Sequence, residues 1–202
     1  SPVTKKTIFL TIIFSVFVSL IIFFNNYFDQ RTKIVFCNVG QGDAAYIRIK
    51  NKIDVLIDTG PDKSVLSCLG KYMPFWDRKI EIAFLSHPNN DHYNGYFYII
   101  DRYKIDKFIT IDTLDLIVSK TYKKLLKKIS DKKIPLLFNV SGDQIRIKDG
   151  QFTLYWPPAG FNSSNDNDFS SVLLFECCRG GSRPAHTGLF TGDASPVVLG
   201  RL

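Results

Sequence analysis

The run from Ile8 to Phe24, IFLTIIFSVFVSLIIFF, carries no charge and directly follows Lys5 and Lys6. A core helix shows one apolar stripe, whereas this segment is apolar on every face. Its length lies near the lower limit of the roughly 17–25 residues that cross a bilayer. Two lysines ahead of it are what the positive-inside rule expects of an outward-facing domain. No small-x-small cleavage site follows, since the next residues are Asn25, Asn26, Tyr27 and Phe28. The segment is therefore read as an uncleaved anchor rather than a removed signal peptide. Residues 1–30 are assigned to this anchor and a short linker, and the absence of an initiator Met suggests that the natural N-terminus lies further upstream. Residues 31–202 are assigned to a single domain outside the cytoplasm, the protein being a single-pass protein of the cell membrane.

From Arg31 the sequence changes to short β-rich runs broken by glycine: KIVFCNV, AAYIRIK and KIDVLIDTG. Alternation over Tyr46, Ile47, Arg48 and Ile49 predicts a strand with one wet face, and the run Ile53–Ile57 a more buried one. A helix is expected around Val65 to Tyr72, then one buried strand, Ile80 to Leu85, whose end delivers His87. Gly95 to Tyr103 reads as a helix and Phe108 to Ile111 as a strand. From Leu114 to Ser130 an amphipathic helix is expected, with Tyr122, Leu125, Leu126 and Ile129 at helical steps and its lysines in solvent. Strands return at Pro135–Asn139, Gln144–Ile147, Phe152–Trp156, Ser171–Cys177 and Leu189–Thr191. Strands, then strands mixed with helices, then strands again suit an α/β sandwich with helices outside.

Cys37, Cys68, Cys177 and Cys178 form neither a CxxC pair nor a regular framework. All four are read as packing residues, with a Cys37–Cys68 disulfide open to a domain outside the cytoplasm. The stretch from Cys177 to Gly188, CCRGGSRPAHTG, is out of character in a chain that otherwise prefers Lys, Ile and Phe. It reads equally as a basic loop or as a local sequence error, and no function is placed on Arg179, Arg183 or His186. The net charge of +7 permits a polyanionic partner. Because many lysines fall between Lys120 and Lys133, on one helix face, charge alone is a weak vote for nucleic acid.

The sharpest chemical feature is LSHPNNDHYNG, where His87, Asp91 and His92 follow directly on a buried strand. A loop at a strand end can turn several short side chains to one point. Imidazole and carboxylate suit Zn²⁺ or Mn²⁺, and an open coordination position would hold a water whose acidity the metal raises. The chain has three histidines, and two stand here beside one aspartate. Four further aspartates lie at expected strand ends or turns: Asp43 in VGQGDA, Asp58 in LIDTG, Asp168 in NDNDFSS and Asp193 in LFTGDAS. Each taken singly is compatible with turn chemistry. Their arrangement around the histidine loop favours a site.

In this order VGQGDA, LIDTG, HPxxDH, NDxS and TGDA resemble the metallo-β-lactamase superfamily, and within it the hydrolase domain of the DNA-uptake channel ComEC and its small stand-alone relatives. The resemblance spans about Lys33 to Ser195. It implies a four-layer αββα sandwich with one or two divalent ions, Zn or Mn, at the edge of the sheets. It makes His87, Asp91 and His92 metal ligands, with Asp91 and His92 catalytic and Asp91 placed to orient or deprotonate the attacking water. Asp193 becomes a bridging carboxylate. Asp58 holds a ligand in place from behind, in a surrounding set with Asp43, Asn167 and Ser170, and Asp168 occupies a region where many members place a further ligand. The sequence departs from the family twice. Asn89 stands where the fuller HxHxDH pattern has a second histidine, so Asn89 is at most a weak ligand. The late HHGS-like segment is not reached before Leu202, so the sandwich is expected to be C-terminally truncated and to hydrolyse little. The expected substrate is nucleic acid, cleaved at phosphodiester bonds in connection with DNA uptake. The alternatives are a weakly catalytic binding module for DNA or a partner, and a hydrolase of small esters or lactams. With one anchor helix, passage of DNA would fall to a separate channel protein.

Overall fold

The computed structural model describes residues 4–28, 31–112, 118–177 and 186–201. The centre of the Arg-rich stretch, 178–185, and residues 114–117 at the start of the expected amphipathic helix lie outside the described residues. Helix α1 (Lys5–Phe28) is apolar on every face, and from Lys5 to Asn25 its residues are exposed rather than packed into the sheets.

Three strands follow as an antiparallel meander: β1 (Lys33–Phe36), β2 (Ala45–Ile49) and β3 (Ile53–Ile57). The three-residue loop 50–52 joins β2 to β3, with Lys50 and Asn51, both at positive φ (46° and 57°), at the centre of a turn closed by the Lys52 N–H on Ile49 O at 3.0 Å. The chain continues through α2 (Val65–Tyr72), β4 (Lys79–Ile80), β5 (Ile82–Phe84), α3 (Asn90–Tyr93), α4 (Tyr96–Arg102), β6 (Lys104–Ile105), β7 (Phe108–Ile111), α5 (Lys120–Asp131) and β8 (Leu136–Asn139). Strands β3, β5, β7 and β8 are parallel and complete a six-stranded sheet in the order β1-β2-β3-β5-β7-β8. The second sheet is antiparallel, in the order β12-β11-β10-β9: β9 (Gln144–Ile147), β10 (Gly150–Trp156), β11 (Val172–Cys177) and β12 (His186–Phe190). A 3-10 turn (Asp166–Phe169) precedes β11, and a one-turn α6 (Pro196–Leu199) follows β12.

Alternation along the strands decides what each face meets. Ala45, Ile47, Ile49, Val55, Ile57 and Phe84 point to the second sheet and close on Phe152, Leu154, Leu173 and Phe175. Phe152 lies between Phe84 and Phe175, its ring 5.1 Å and 4.8 Å from theirs. On the other face Tyr46, Leu56 and Ala83 meet Val65 and Leu69 of α2, Ile99 of α4, and Tyr122 and Leu125 of α5. The described residues thus build three layers. On the outer face of the second sheet Gln144, Arg146, Tyr155 and Leu189 are exposed, and among the described residues no second helical layer covers them.

Several expectations need correction. Strand β2 has no wet face: Arg48 is buried because helices cover that side of the sheet, and its charge is matched by Asp54 at 2.5 Å and Asp77 at 3.1 Å. The strand read as Ile80–Leu85 is two, since Glu81 turns aside to pair with Asp54, giving its N–H to Asp54 O and accepting the Asp54 N–H at 2.8 Å. The cysteines are more than packing residues. Cys37 and Cys68 form a disulfide that ties the end of β1 to α2, and Cys177 is disulfide-bonded as well. Residues Asn90–Tyr93 form a helical turn where a loop was expected.

Candidate metal centre

Parallel strands bring their C-terminal ends to one edge of the sheet, and the candidate site stands there. Strand β3 delivers Asp58, which accepts the left-handed backbone (φ 55°) and gives its N–H to Phe84 O at 2.9 Å. Neighbouring β5 delivers Ser86 and His87, and α3 carries Asp91 and His92. The backbone of α3 is held by Thr59, whose N–H and hydroxyl both donate to His92 O, at 2.8 Å and 3.1 Å. Gly42 lets this turn come close. At φ 73° it passes so near Asp91 that a Cβ there would lie 2.0 Å from the Asp91 carbonyl oxygen. From the second sheet, the turn after β12 presents Asp193, with Gly192 (φ 49°) packed against Ser86.

Asp58 is 1% exposed and organises the centre. Its Oδ1 accepts the Ser86 N–H at 2.8 Å, and its Oδ2 accepts the Ser86 hydroxyl at 2.6 Å and lies 3.0 Å from His92 Nδ1. A hydroxyl has one proton, and Ser86 gives its own to Asp58. Its oxygen, 3.1 Å from His87 Nδ1, is then left to accept from that ring. Both imidazoles therefore carry hydrogen at Nδ1 and turn Nε2 to one point. His87 Nε2 and His92 Nε2 are buried and have no hydrogen-bond partner, His92 Nε2 standing 3.4 Å from Asp193 Oδ2. With an oxygen of Asp193 they form a group whose ligand atoms all lie within 4.8 Å of one another.

Two ring nitrogens without hydrogen-bond partners, close to one another and to a carboxylate, fit a divalent ion. The hydrogen bonds from the far side of each ring are the support that metal-binding histidines normally have. Without an ion the two rings divide the charge. Burial works against a charged His92, yet Asp58, Asp193 and Asp91 together push it up to about 9. Burial and the neighbouring His92 hold His87 below its ordinary value. The Asp43 carboxyl is raised, by partial burial and then by Asp58, with Asp193 and Asp91 adding and His92 opposing.

No protein-family model and no curated protein matches the sequence. Solved structures do match. The metallo-β-lactamase GOB-18 from Elizabethkingia meningoseptica superposes with a TM-score of 0.54 at 18% identity, over 80% of this chain and 58% of that one. FEZ-1 from Legionella gormanii gives 0.54 at 13%, over 82% and 62%. The metallo-β-lactamase fold protein YhfI from Bacillus subtilis gives 0.51 at 14%, over 79% and 60%. The fold is that of the metallo-β-lactamases. The chain spans about three fifths of the length of these structures, 60% in the case of YhfI.

Within this metallo-β-lactamase fold the residues singled out by sequence divide into two groups. His87, His92 and Asp193 converge, with Asp58 behind them. Asp91 is outside the group within ligand reach, though its charge acts on both rings. Asp91 stands next to His92 on α3, near enough for its charge to raise both His92 and Asp43. Asn89 Nδ2 donates to Asn167 Oδ1 at 3.2 Å, linking the histidine loop to the turn before β11. Asp168 is engaged in that turn, its carboxylate accepting from Ser163 at 2.6 Å and Asn165 at 3.2 Å, and hydrogen bonds from Ser163 first and then Ser195 keep it below the usual carboxylate range. Ser170 is fully buried, its Oγ unpartnered. Sequence reading missed Ser86 and Thr59. Both stand directly beside a motif residue at a strand end, the position from which a hydroxyl can reach the same site.

Proposed function

We propose that this chain is a membrane-tethered, metal-dependent hydrolase of phosphodiester bonds in nucleic acid, acting outside the cytoplasm in connection with DNA uptake. The observation that carries the proposal is the pair of buried, unpartnered Nε2 atoms of His87 and His92, facing Asp193 and braced by Asp58. An ion held by these three residues would act as a Lewis acid and make water acidic at neutral pH. Asp58 keeps both rings in the tautomer that offers Nε2, directly for His92 and through Ser86 for His87. Asp91, on the same turn as His92, is the candidate to orient the attacking water and take its proton.

The substrate class rests on the order of the motifs VGQGDA, LIDTG, HPxxDH, NDxS and TGDA, which resembles ComEC-type hydrolase domains, and on the net charge of +7. The location rests on α1, with residues 1–30 as anchor and 31–202 as the hydrolase unit, and on the Cys37–Cys68 disulfide, which suits an oxidising compartment. A separate channel protein would complete DNA passage. A second reading is favoured by Asn89: a neutral side chain bonded to Asn167 leaves two imidazoles for the site, which suits a module that grips nucleic acid and cleaves it poorly. The full chain, with Mn²⁺ or Zn²⁺, should be assayed on single-stranded DNA, bis(p-nitrophenyl) phosphate and a chromogenic cephalosporin. Phosphodiester cleavage abolished by His92→Ala supports the proposal. Tight DNA binding without cleavage supports the second reading, and cleavage of the cephalosporin alone contradicts both.

A further inference from the structure

We infer that the end of the domain opposite the metal centre lies against the bilayer, with Phe75 and Trp76 seated at the boundary between anionic phospholipid headgroups and acyl chains. The inference rests on the reading of α1 as a membrane span. Strands β3 and β5 run towards the site, and β1, antiparallel to the same β2 that β3 flanks, runs the same way, so it starts at the far end. The lipid-borne helix must join the domain at that start. From Phe28 to Lys33 the chain can reach no more than about 18 Å, so the far end cannot stand clear of the headgroups.

What that end presents matches a membrane surface. Lys33 is in register with Arg48, and Arg48 is ion-paired to Asp77 at 3.1 Å, which fixes the adjoining loop beside the entry point. In this loop Phe75 is 80% exposed and Trp76 53%, their rings edge to face at 4.8 Å. An exposed aromatic pair is costly in water and typical of the interfacial belt. Around it the acidic side chains are already engaged: Asp77 with Arg48, Asp149 with Lys50, and Glu81 and Asp106 with Lys79. Lys52, Arg78, Lys104 and Lys107 remain exposed at the same ends of their strands, a basic rim fitted to anionic headgroups. The metal centre, on the opposite edge, then faces away from the membrane and open to a large substrate.

The test uses the full chain reconstituted in phosphatidylcholine–phosphatidylglycerol vesicles with brominated acyl chains, and reads tryptophan emission. The chain has two tryptophans, and Trp156 is an internal reference, 7% exposed and bonded to Asp168 O near the site. Flotation with the vesicles after carbonate washing is read first, and a chain that fails to float overturns the anchor and this inference together. For a floating chain, brominated lipid is expected to quench wild type. The quenched component should vanish in Trp76→Phe and shrink when phosphatidylglycerol is omitted. A floating chain whose Trp76 emission is unquenched overturns the inference while leaving the anchor intact, and quenching indifferent to phosphatidylglycerol overturns the commitment to anionic headgroups.

Discussion

The Asp58 carboxylate stands 3.0 Å from His92 Nδ1 while accepting the Ser86 hydroxyl at 2.6 Å, so one buried acid fixes the orientation of both histidines. Asp58→Asn keeps the shape but replaces a charged acceptor with a neutral amide that can present N–H where an acceptor is needed. Metal affinity is expected to fall about 10- to 100-fold, as for loss of other such supporting partners. Competition against a chromogenic chelator measures this, and unchanged affinity would show that the rings are oriented by packing alone.

The same relationship sets the titration of the metal-free protein. His92 is raised from 6.5 to about 9 and His87 is lowered, so at pH 7 His92 carries the proton and His87 is neutral. A base whose folded value is raised contributes stability that is full below about 6.5 and is lost as pH rises through about 9. A divalent ion needs the deprotonated ring, so it should tighten its grip over the same interval and reverse the trend. Ring-nitrogen NMR of the chelator-treated protein checks the assignment, and His87 titrating above His92 would refute it.

Gly42 tests whether the VGQGDA turn shapes the site without touching a ligand. Alanine there must adopt φ 73° and would put Cβ 2.0 Å from backbone of α3, the turn that carries His92. Gly42→Ala is expected to cost stability by roughly 1–3 kcal/mol and to weaken metal binding as α3 shifts. Denaturant unfolding and metal titration measure the two effects. A variant that matches wild type in both would show that the loop yields freely.

Legibility in the sequence followed the range of the forces involved. Helix α2 and strand β9 fall on the expected residues because their patterning is local, and Asp193 meets the histidine pair although it is distant in sequence. The wet face expected of β2 failed at Arg48, since only the fold shows that Asp54 and Asp77 await it beneath a layer of helices. The break at Glu81 depends on a cross-strand partner, Asp54, which the single charge at position 81 does not announce. Asp91 and His92 look like equal members of one motif, and spacing alone does not show that His87, His92 and Asp193 are the three whose ligand atoms come within 4.8 Å of one another. Ser86 and Thr59 act through hydrogen bonds to residues distant in the chain, which no spacing rule displays.

The Cys37–Cys68 disulfide closes a loop across 31 residues. Restricting an unfolded loop of that length stabilises the native state by about 3–4 kcal/mol in the chain-entropy estimate. The double variant Cys37→Ala, Cys68→Ala should lose stability of that order in chemical denaturation. A loss well under 1 kcal/mol would mean that the bond contributes nothing beyond the packing of β1 on α2.

Whether His87, His92 and Asp193 hold a divalent ion is read from the metal content of this chain after loading with Zn²⁺ and exhaustive dialysis, beside the double variant His87→Ala, His92→Ala checked for an unchanged circular dichroism spectrum. About one ion per chain is expected in wild type and none in the variant. Equal metal in both proteins, or none in wild type, would contradict an ion held there.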